Sequence, residues 1–491
     1  MHDKLPRFST HLFDPRCGIM NFTLKHHPVW QECKSIISLA FPILVAQFAQ
    51  TANGFVDTIM AGQVSAQDLA AVAVGSAIWV PVFLFMVGVM QGLTPFVSQL
   101  KGGGRTAAIG SVVQQGLWLA LPLGLLGWAA LRSMQPVLAL MDVSRDIGPM
   151  IIGYLEGLSW GFPAIALFLA LRSLTEGMSF TRPVMLVSLL GLAVNVPVNY
   201  VLIYGKLGLP ALGGVGCGWA TSIVMWLMLI VMAIYSVGFD QRQGSHTFTQ
   251  FAKPRLDKIG SILKTGLPIG LAIFIEVSLF CVIALFIAGI DATVVAGHQI
   301  ALNASSMTFM IPLSLSLALT VRVGTNLGRN SLDGVHTAVI SGIYIILAIA
   351  IINSSLLAFF RTDIASAYTQ DADVLAIASG LLLFAALFQF SDCLQVGANG
   401  VLRGMKDTAI PMMMVLIAYW CLGLPVGYVL GLTDIVVPAM GAKGFWIGLL
   451  VGLTAAALML CWRVSWAMKR LQIRRFSLTS TPALRGCPAP D

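Results

Sequence analysis

The sequence predicts an all-α integral membrane protein with 12 transmembrane helices in two parallel six-helix repeats, forming two lobes around a central cavity. Three observations predict this. Of 491 residues, 57% are hydrophobic and only 10% charged, and the mean hydropathy is +0.86, a balance that no soluble domain of this size shows. Apolar runs of about 18 residues or more, the length that crosses a bilayer, recur from about residue 36 to residue 466. The two halves of the chain also repeat one another.

Hydropathy, punctuated by Gly, Pro and charge, places spans near 36–60, 69–97, 111–132, 150–174, 183–204 and 214–237, then near 262–289, 294–321, 337–360, 373–401, 410–432 and 440–466. This divides the chain into an N-terminal tail (1–35), a first lobe (36–237), a polar and basic linker (238–261), a second lobe (262–466) and a C-terminal tail (467–491). With that count, 24 of the 29 Lys and Arg residues fall on the side holding both termini and the linker, and five (Arg132, Arg145, Lys206, Arg361, Lys443) on the other. An odd number of spans would have mixed the two sets. The positive-inside rule therefore expects both tails and the linker in the cytoplasm.

The net charge of +8 follows from the same topology and suits contact with anionic membrane lipids. No interleaving of basic and aromatic residues suggests nucleic acid. The first 35 residues hold no apolar stretch followed by a small-residue cleavage site, so no cleaved signal peptide is expected and the first span directs insertion. The eight cysteines are scattered without paired spacing and read as small buried hydrophobes, not disulfides or a zinc site.

The repeat is explicit. LAFPILVAQFAQ (39–50) aligns with TGLPIGLAIFIE (265–276), pairing Pro42 with Pro268 at an offset of 226. Gly62 pairs with Gly289, Gly177 with Gly404 and Thr181 with Thr408 at 227, and Pro183 with Pro411, Pro197 with Pro425, Tyr200 with Tyr428 and Gly213 with Gly441 at 228. Because each unit holds an even number of spans, both begin on the same side, which is a transporter arrangement.

Three acids fall well inside apolar runs: Asp57, Glu276 and Asp392. A charge at the bilayer centre costs about 2.5 to 3.5 kcal/mol on insertion scales, so such residues usually face the protein interior or a water-filled cavity. The plainer reading of each is a hydrogen-bonded carboxyl that fixes helix packing. Across the repeat Glu276 pairs with Gln50, Asp57 with Ile283 and Asp392 with the region of Ile165, so each half has its own acids. In NVPVN, Asn195 and Asn199 stand four apart on one helical face and can line a polar site with Asp57, whereas their counterparts are Gly423 and Gly427. Two differently built polar sites, one per lobe, are expected. A carboxylate facing a cavity can hold a proton or another cation, which suggests exchange, with Glu276 as the exchange point.

Other signals carry less. GLSWG (157–161) matches a hydrolase elbow but lies inside an expected span, and KGGGRT (101–106) lacks the ending of a nucleotide-binding loop. No enzymatic activity is expected. His298 reads as a helix-packing residue, and Arg172 with Glu176 as a local ion pair at a helix end.

Several passages together resemble the multidrug and toxic compound extrusion (MATE) family, in its bacterial NorM-like branch: FPILVAQFAQTANGFVDTIMAG (41–62), GMSFTRPVM (177–185), NVPVNYVLIYGKLGLPALGGVGCGWATS (195–222), AGHQIALN (296–303) and LQVGANGVLRGMKDTAIPM (394–412). The resemblance runs from about residue 36 to 466. It implies a secondary transporter of the bacterial inner membrane that exports cationic, often aromatic, drugs and dyes by alternating access of two lobes, as a monomer and without a cofactor. The coupling ion would be Na+ or H+, held at Asp57, Asn195 and Asn199 in the first lobe and at Glu276 and Asp392 in the second. Sodium-coupled relatives are expected to offer a tyrosine hydroxyl one turn before the aspartate of the tenth span. Here that position is Phe388, and Ser391 is the nearby alternative oxygen. The runner-up function is a flippase for a lipid-linked precursor, which should line its cavity with Arg or Lys; none is placed in mid-span.

Overall fold

The computed structural model describes residues 26–140, 147–244, 247–248 and 252–479. The ends of both expected tails and parts of the linker lie outside the described residues. The first half comprises α1 (His26–Gly62), α2 (Ala66–Gln91), α3 (Thr94–Gly102), α4 (Thr106–Arg132), α5 (Gln135–Leu140), α6 (Gly148–Ser159), α7 (Phe162–Gly177), α8 (Arg182–Tyr204) and α9 (Gly214–Gln243). The second comprises α10 (Leu256–Ala288), α11 (Ala292–Gly328), α12 (Leu332–Phe359), α13 (Arg361–Ser366), α14 (Ala372–Gly404), α15 (Ala409–Leu416), a π-helical stretch (Ile417–Gly423), α16 (Leu424–Leu432) and α17 (Ala442–Thr479). No strand occurs among the described residues.

Among the described residues eleven helical segments, with α2 and α3 joined and α15, the π-helical stretch and α16 joined, are long and apolar enough to cross a membrane. The pair α6 and α7, bent by 42°, makes a twelfth. The break at Trp160–Gly161 interrupts what hydropathy reads as one span. Pro163, in the first turn of α7, has no N–H for the ladder, and Gly161 approaches Ser222 and Met225 of α9 so closely that a side chain would collide with them. Helices also run past their apolar stretches. α1 begins within the expected N-terminal tail, and α9 and α10 extend into the expected linker, because hydropathy detects the membrane-crossing part of a helix, not its end. Between them the linker is fastened to α4: Gln115 Nε2 donates to the Lys253 carbonyl (3.1 Å), its Oε1 accepts from Arg255 N (2.7 Å), and Trp118 Nε1 donates to the Ala252 carbonyl (3.2 Å).

The duplication is visible in the backbone. Gly213 and Gly441, paired by the repeat, both have positive φ (57° and 60°), and so do Ser179 and Lys406 (62° each), which are 227 apart. A left-handed serine or lysine is unusual. Its occurrence at the same turn of both halves shows that the turn geometry belongs to the repeated unit.

The helices α1–α9 pack into one bundle and α10–α17 into another, and the bundles meet in the half of the molecule that carries the linker. There α2 crosses α10 through two facing Gly-x-x-x-Gly pairs. A Cβ on Gly88 or on Gly92 would lie 2.5 Å from the Cα of Gly270 or Gly266 respectively. Such residues let two backbones touch in a membrane protein. The repeat-related crossing of α1 with α11 is padded instead by Ile36, Leu315, Ala318 and Leu319. Alongside, Arg322 donates to Glu32 (Nε to Oε1, 2.7 Å), Gln99 Nε2 to the Gly404 carbonyl (2.9 Å), and the Lys406 ammonium sits 3.8 Å from the Phe96 ring centroid. Burial pulls the Lys406 ammonium down to about 8.

Candidate exchange sites in the two lobes

In the first lobe the expected residues come together. α1 turns Asp57 into the bundle (5% exposed), against Asn195 and Asn199 of α8, both fully buried. Asn199 Nδ2 lies 2.6 Å from Asp57 Oδ1 and 2.9 Å from Asn195 Oδ1, and Asn195 Nδ2 lies 3.4 Å from the same carboxylate oxygen. Thr221 of α9 donates to the other oxygen, Oδ2, at 3.1 Å. Thr221 is absent from the sequence-derived set, because helical spacing relates residues of one helix while the α8–α9 pairing is tertiary. Among the described residues Asn199 Oδ1 is buried without a donor. A buried oxygen acceptor lacking a donor, beside a carboxylate, is the kind of group that a proton donor or hard cation satisfies.

The second lobe is built differently. α14 carries Asp392 (4% exposed) and, one turn on, Gln395 (1%), while half-buried Glu276 comes from α10. Among the described residues no donor hydrogen-bonds the Asp392 carboxyl, whereas Gln395 and Glu276 share a partner. Between them stands Tyr419, whose hydroxyl is 2.8 Å from Gln395 Oε1 and 3.4 Å from Glu276 Oε1. The phenol has one proton. When it is given to Gln395, the Glu276 contact is satisfied by a carboxylic acid donating to the phenol oxygen.

Tyr419 is missing from the sequence-derived set for a specific reason. It lies in the π-helical stretch, where the wider turn shifts the facing of successive residues away from the 3.6-residue pattern, and such stretches often occur at functional sites. Trp420 anchors the stretch by donating Nε1 to the Ile275 carbonyl, next to Glu276, at 3.3 Å. The two residues considered in place of the family tyrosine do other work. Phe388 stacks on Trp446 (centroids 5.6 Å apart), and the Ser391 hydroxyl is 2.8 Å from that of Thr454. His298 packs as expected, its Nδ1 accepting from Trp446 Nε1 at 3.1 Å.

Two arginines at helix ends point inward. Arg172 is buried and pairs with Glu176 (2.7 Å), with a longer contact to Gln47 (3.4 Å), and Arg403 donates to Gln91 of the other lobe at 3.1 Å. Of the motifs set aside, Ser159 donates to the Glu156 carbonyl at 2.7 Å within its own helix.

Tyr419→Phe keeps the ring and removes the shared proton. One ordinary hydrogen bond is worth about 1 kcal/mol, so cation binding at the Glu276 cluster is expected to weaken roughly fivefold, read as the half-saturating cation concentration of the purified protein. An unchanged value would make Tyr419 a packing residue.

Two equivalent bundles of membrane-length helices, each enclosing buried carboxylates with polar partners, define a polytopic transporter built from parallel repeats. The MatE family model matches residues 42–201 and again 268–429, once in each bundle, and the chain belongs to that family. Multidrug resistance protein PmpM of Pseudomonas aeruginosa is 49% identical over 441 residues, covering 89% of this chain and 92% of that protein. Multidrug resistance protein MdtK of Photorhabdus laumondii is 45% identical over 444 residues, covering 90% and 96%. Among solved structures, the eukaryotic MATE transporter AtDTX14 superposes with a TM-score of 0.82 at 19% identity, covering 91% of this chain and 99% of that one. An outward-facing multidrug resistance MATE family transporter of the MOP superfamily gives 0.81 at 18% identity, covering 90% and 97%. At these identities the structures establish the fold.

Proposed function

We propose that this protein is a multidrug efflux antiporter of the bacterial inner membrane, with both termini in the cytoplasm, that exports organic cations in exchange for H+ or Na+ by alternating access. The observation that carries the reading is a polar site in each lobe built on inward-facing acids: Asp57 with Asn195, Asn199 and Thr221 in the first, Glu276 and Asp392 with Gln395 and Tyr419 in the second. A carboxylate in such a site holds a proton, a metal cation or an organic cation, and binding one displaces another. Exchange then needs only two states of different accessibility. The multidrug resistance relatives support the substrate class. The contact of the lobes on the linker side supports an outward-facing state as the arrangement seen here.

A flippase for anionic lipid-linked heads is disfavoured by the same geometry, since buried carboxylates repel an anionic cargo. The test is efflux of a fluorescent cationic dye from proteoliposomes under an inward H+ or an inward Na+ gradient. Efflux driven by one gradient and collapsed by an ionophore for that ion is expected, and it names the ion. Dye retention under both gradients would overturn the antiporter reading.

A further inference from the structure

The two repeat-related helix crossings that close the linker side are held by different forces. Where α2 meets α10, glycine backbones touch. Where α1 meets α11, Arg322 grips Glu32 with both arms of its guanidinium fork, Nε to Oε1 at 2.7 Å and a second contact from Nη2 to Oε2. The Arg322 and Glu32 side chains are only 20% and 11% exposed, so the pair is largely shielded from water. One turn further along α1, Ile36 is fully buried in a cluster with Leu315, Ala318 and Leu319, and one turn before, the Val29 carbonyl accepts from Ser341 Oγ of α12 at 3.2 Å. The pair therefore sits at the linker-side rim of the apolar seam. The pairs Arg132–Glu156, Arg172–Glu176 and Arg463–Asp407 each stay within one bundle, whereas this one joins the two. The repeat singles it out further. One turn beyond Arg322 the two bundles meet reciprocally: a Cβ on Gly102 would collide with the Thr325 carbonyl, and one on Gly328, 226 residues on, with the Gln99 carbonyl. At that offset the counterparts of Glu32 and Arg322 are Lys258 and Phe96, which form no ion pair, and Lys258 donates instead to Ser111 Oγ of α4 at 3.4 Å. The charge pair belongs to one crossing only.

We propose that Glu32 and Arg322 are the linker-side latch of the transport cycle: paired, they hold α1 against α11 and keep the lobes shut toward the cytoplasm, and they separate when the carrier opens to that side. The inference rests on the alternating-access reading. A guanidinium and a carboxylate that leave water lose hydration, and bidentate pairing compensates for it only while both are present. The intact pair therefore closes at little net cost, and opening returns both groups to water. A single survivor has no such compensation. In the shut state it is a shielded charge without its partner, so its removal from water favours the open state. The glycine crossing involves no charge and is indifferent to neutralisation, which leaves the α1–α11 crossing as the one whose closure depends on two specific side chains.

The test uses the full-length protein in nanodiscs, with native cysteines replaced and nitroxide labels at the exposed positions Arg105→Cys and His336→Cys, one in each lobe, read by double electron–electron resonance. Glu32→Gln and Arg322→Gln are each expected to raise the widened linker-side population roughly tenfold. The exchanged variant, Glu32→Arg with Arg322→Glu, should return that population most of the way to the wild-type value, since it restores the pair in the opposite sense. Glu32→Gln combined with Arg322→Gln should open the seam less than the two single changes added together, because neither charge is stranded. If Arg322→Gln does not fold, Glu32→Gln against the exchanged variant carries the test alone. The proposal is overturned if the single variants keep the wild-type distance, or if the exchanged variant is as wide as they are. No dye or ion gradient enters the measurement, so a failed latch leaves the efflux test of the antiporter reading untouched, and failed efflux leaves these distances to be read on their own.

Discussion

Replacing Glu276 by glutamine is expected to reduce gradient-driven dye efflux to the leak of protein-free liposomes. The amide is nearly the size of the carboxyl and its N–H can donate to the Tyr419 oxygen, 3.4 Å from the Glu276 carboxyl in the wild type, so packing against the π-helical stretch is preserved. What is lost is charge: the amide binds neither a proton nor a cation in exchange for the drug. Buried Asp392, one turn before Gln395 on α14, then remains as the acid of the second-lobe site. The measurement pairs efflux with dye binding to the purified protein. Binding that persists while coupled efflux vanishes assigns Glu276 to exchange. Efflux above half the wild-type rate would make Glu276 a packing carboxyl and move the exchange to Asp57.

A second large effect is expected at the glycine seam, from Gly266→Val. The added Cβ would fall inside the van der Waals envelope of the Val89 carbonyl, and Gly92, just beyond Val89 at the end of α2, approaches so closely that a Cβ of its own would lie 2.5 Å from the Gly266 Cα. Carbonyl and Cα atoms cannot rotate away as a flexible side chain would. Overpacking of this kind costs about 1 to 3 kcal/mol, and it is relieved most simply if the lobes part on the linker side. That energy changes the ratio of closed to open states about five- to 150-fold, visible as a widened distance between nitroxide labels at Arg105→Cys and His336→Cys, one in each lobe. Gly260→Val is the control, on the same helix with nothing within 4 Å of its added Cβ, and should leave the distance unchanged. Equal behaviour of the two variants would show that the seam does not set the equilibrium.

These predictions rest on different kinds of information. Composition and the 226-to-228-residue repeat determined the duplicated helical architecture, because apolar length and like-for-like prolines and glycines are properties of a chain read in order. Asn195 and Asn199 were legible as a pair for the same reason: four residues apart puts two side chains on one helical face. The acids Asp57, Glu276 and Asp392 stood out because a charge inside an apolar run needs a local explanation. Tertiary structure alone decided which partners those acids meet. Thr221 reaches Asp57 only because α9 packs against α8, and Tyr419 reaches Glu276 through a π turn that hydropathy does not register. Arg403 reads as one more loop cation until its side chain is seen crossing to Gln91, and the glycines of α2 and α10 read as ordinary until two backbones are found in contact. The physical reason is range. Hydropathy and helical spacing are sums over neighbours in the chain, whereas a hydrogen bond between lobes depends on the relative placement of two bundles whose contacting residues lie up to 312 positions apart.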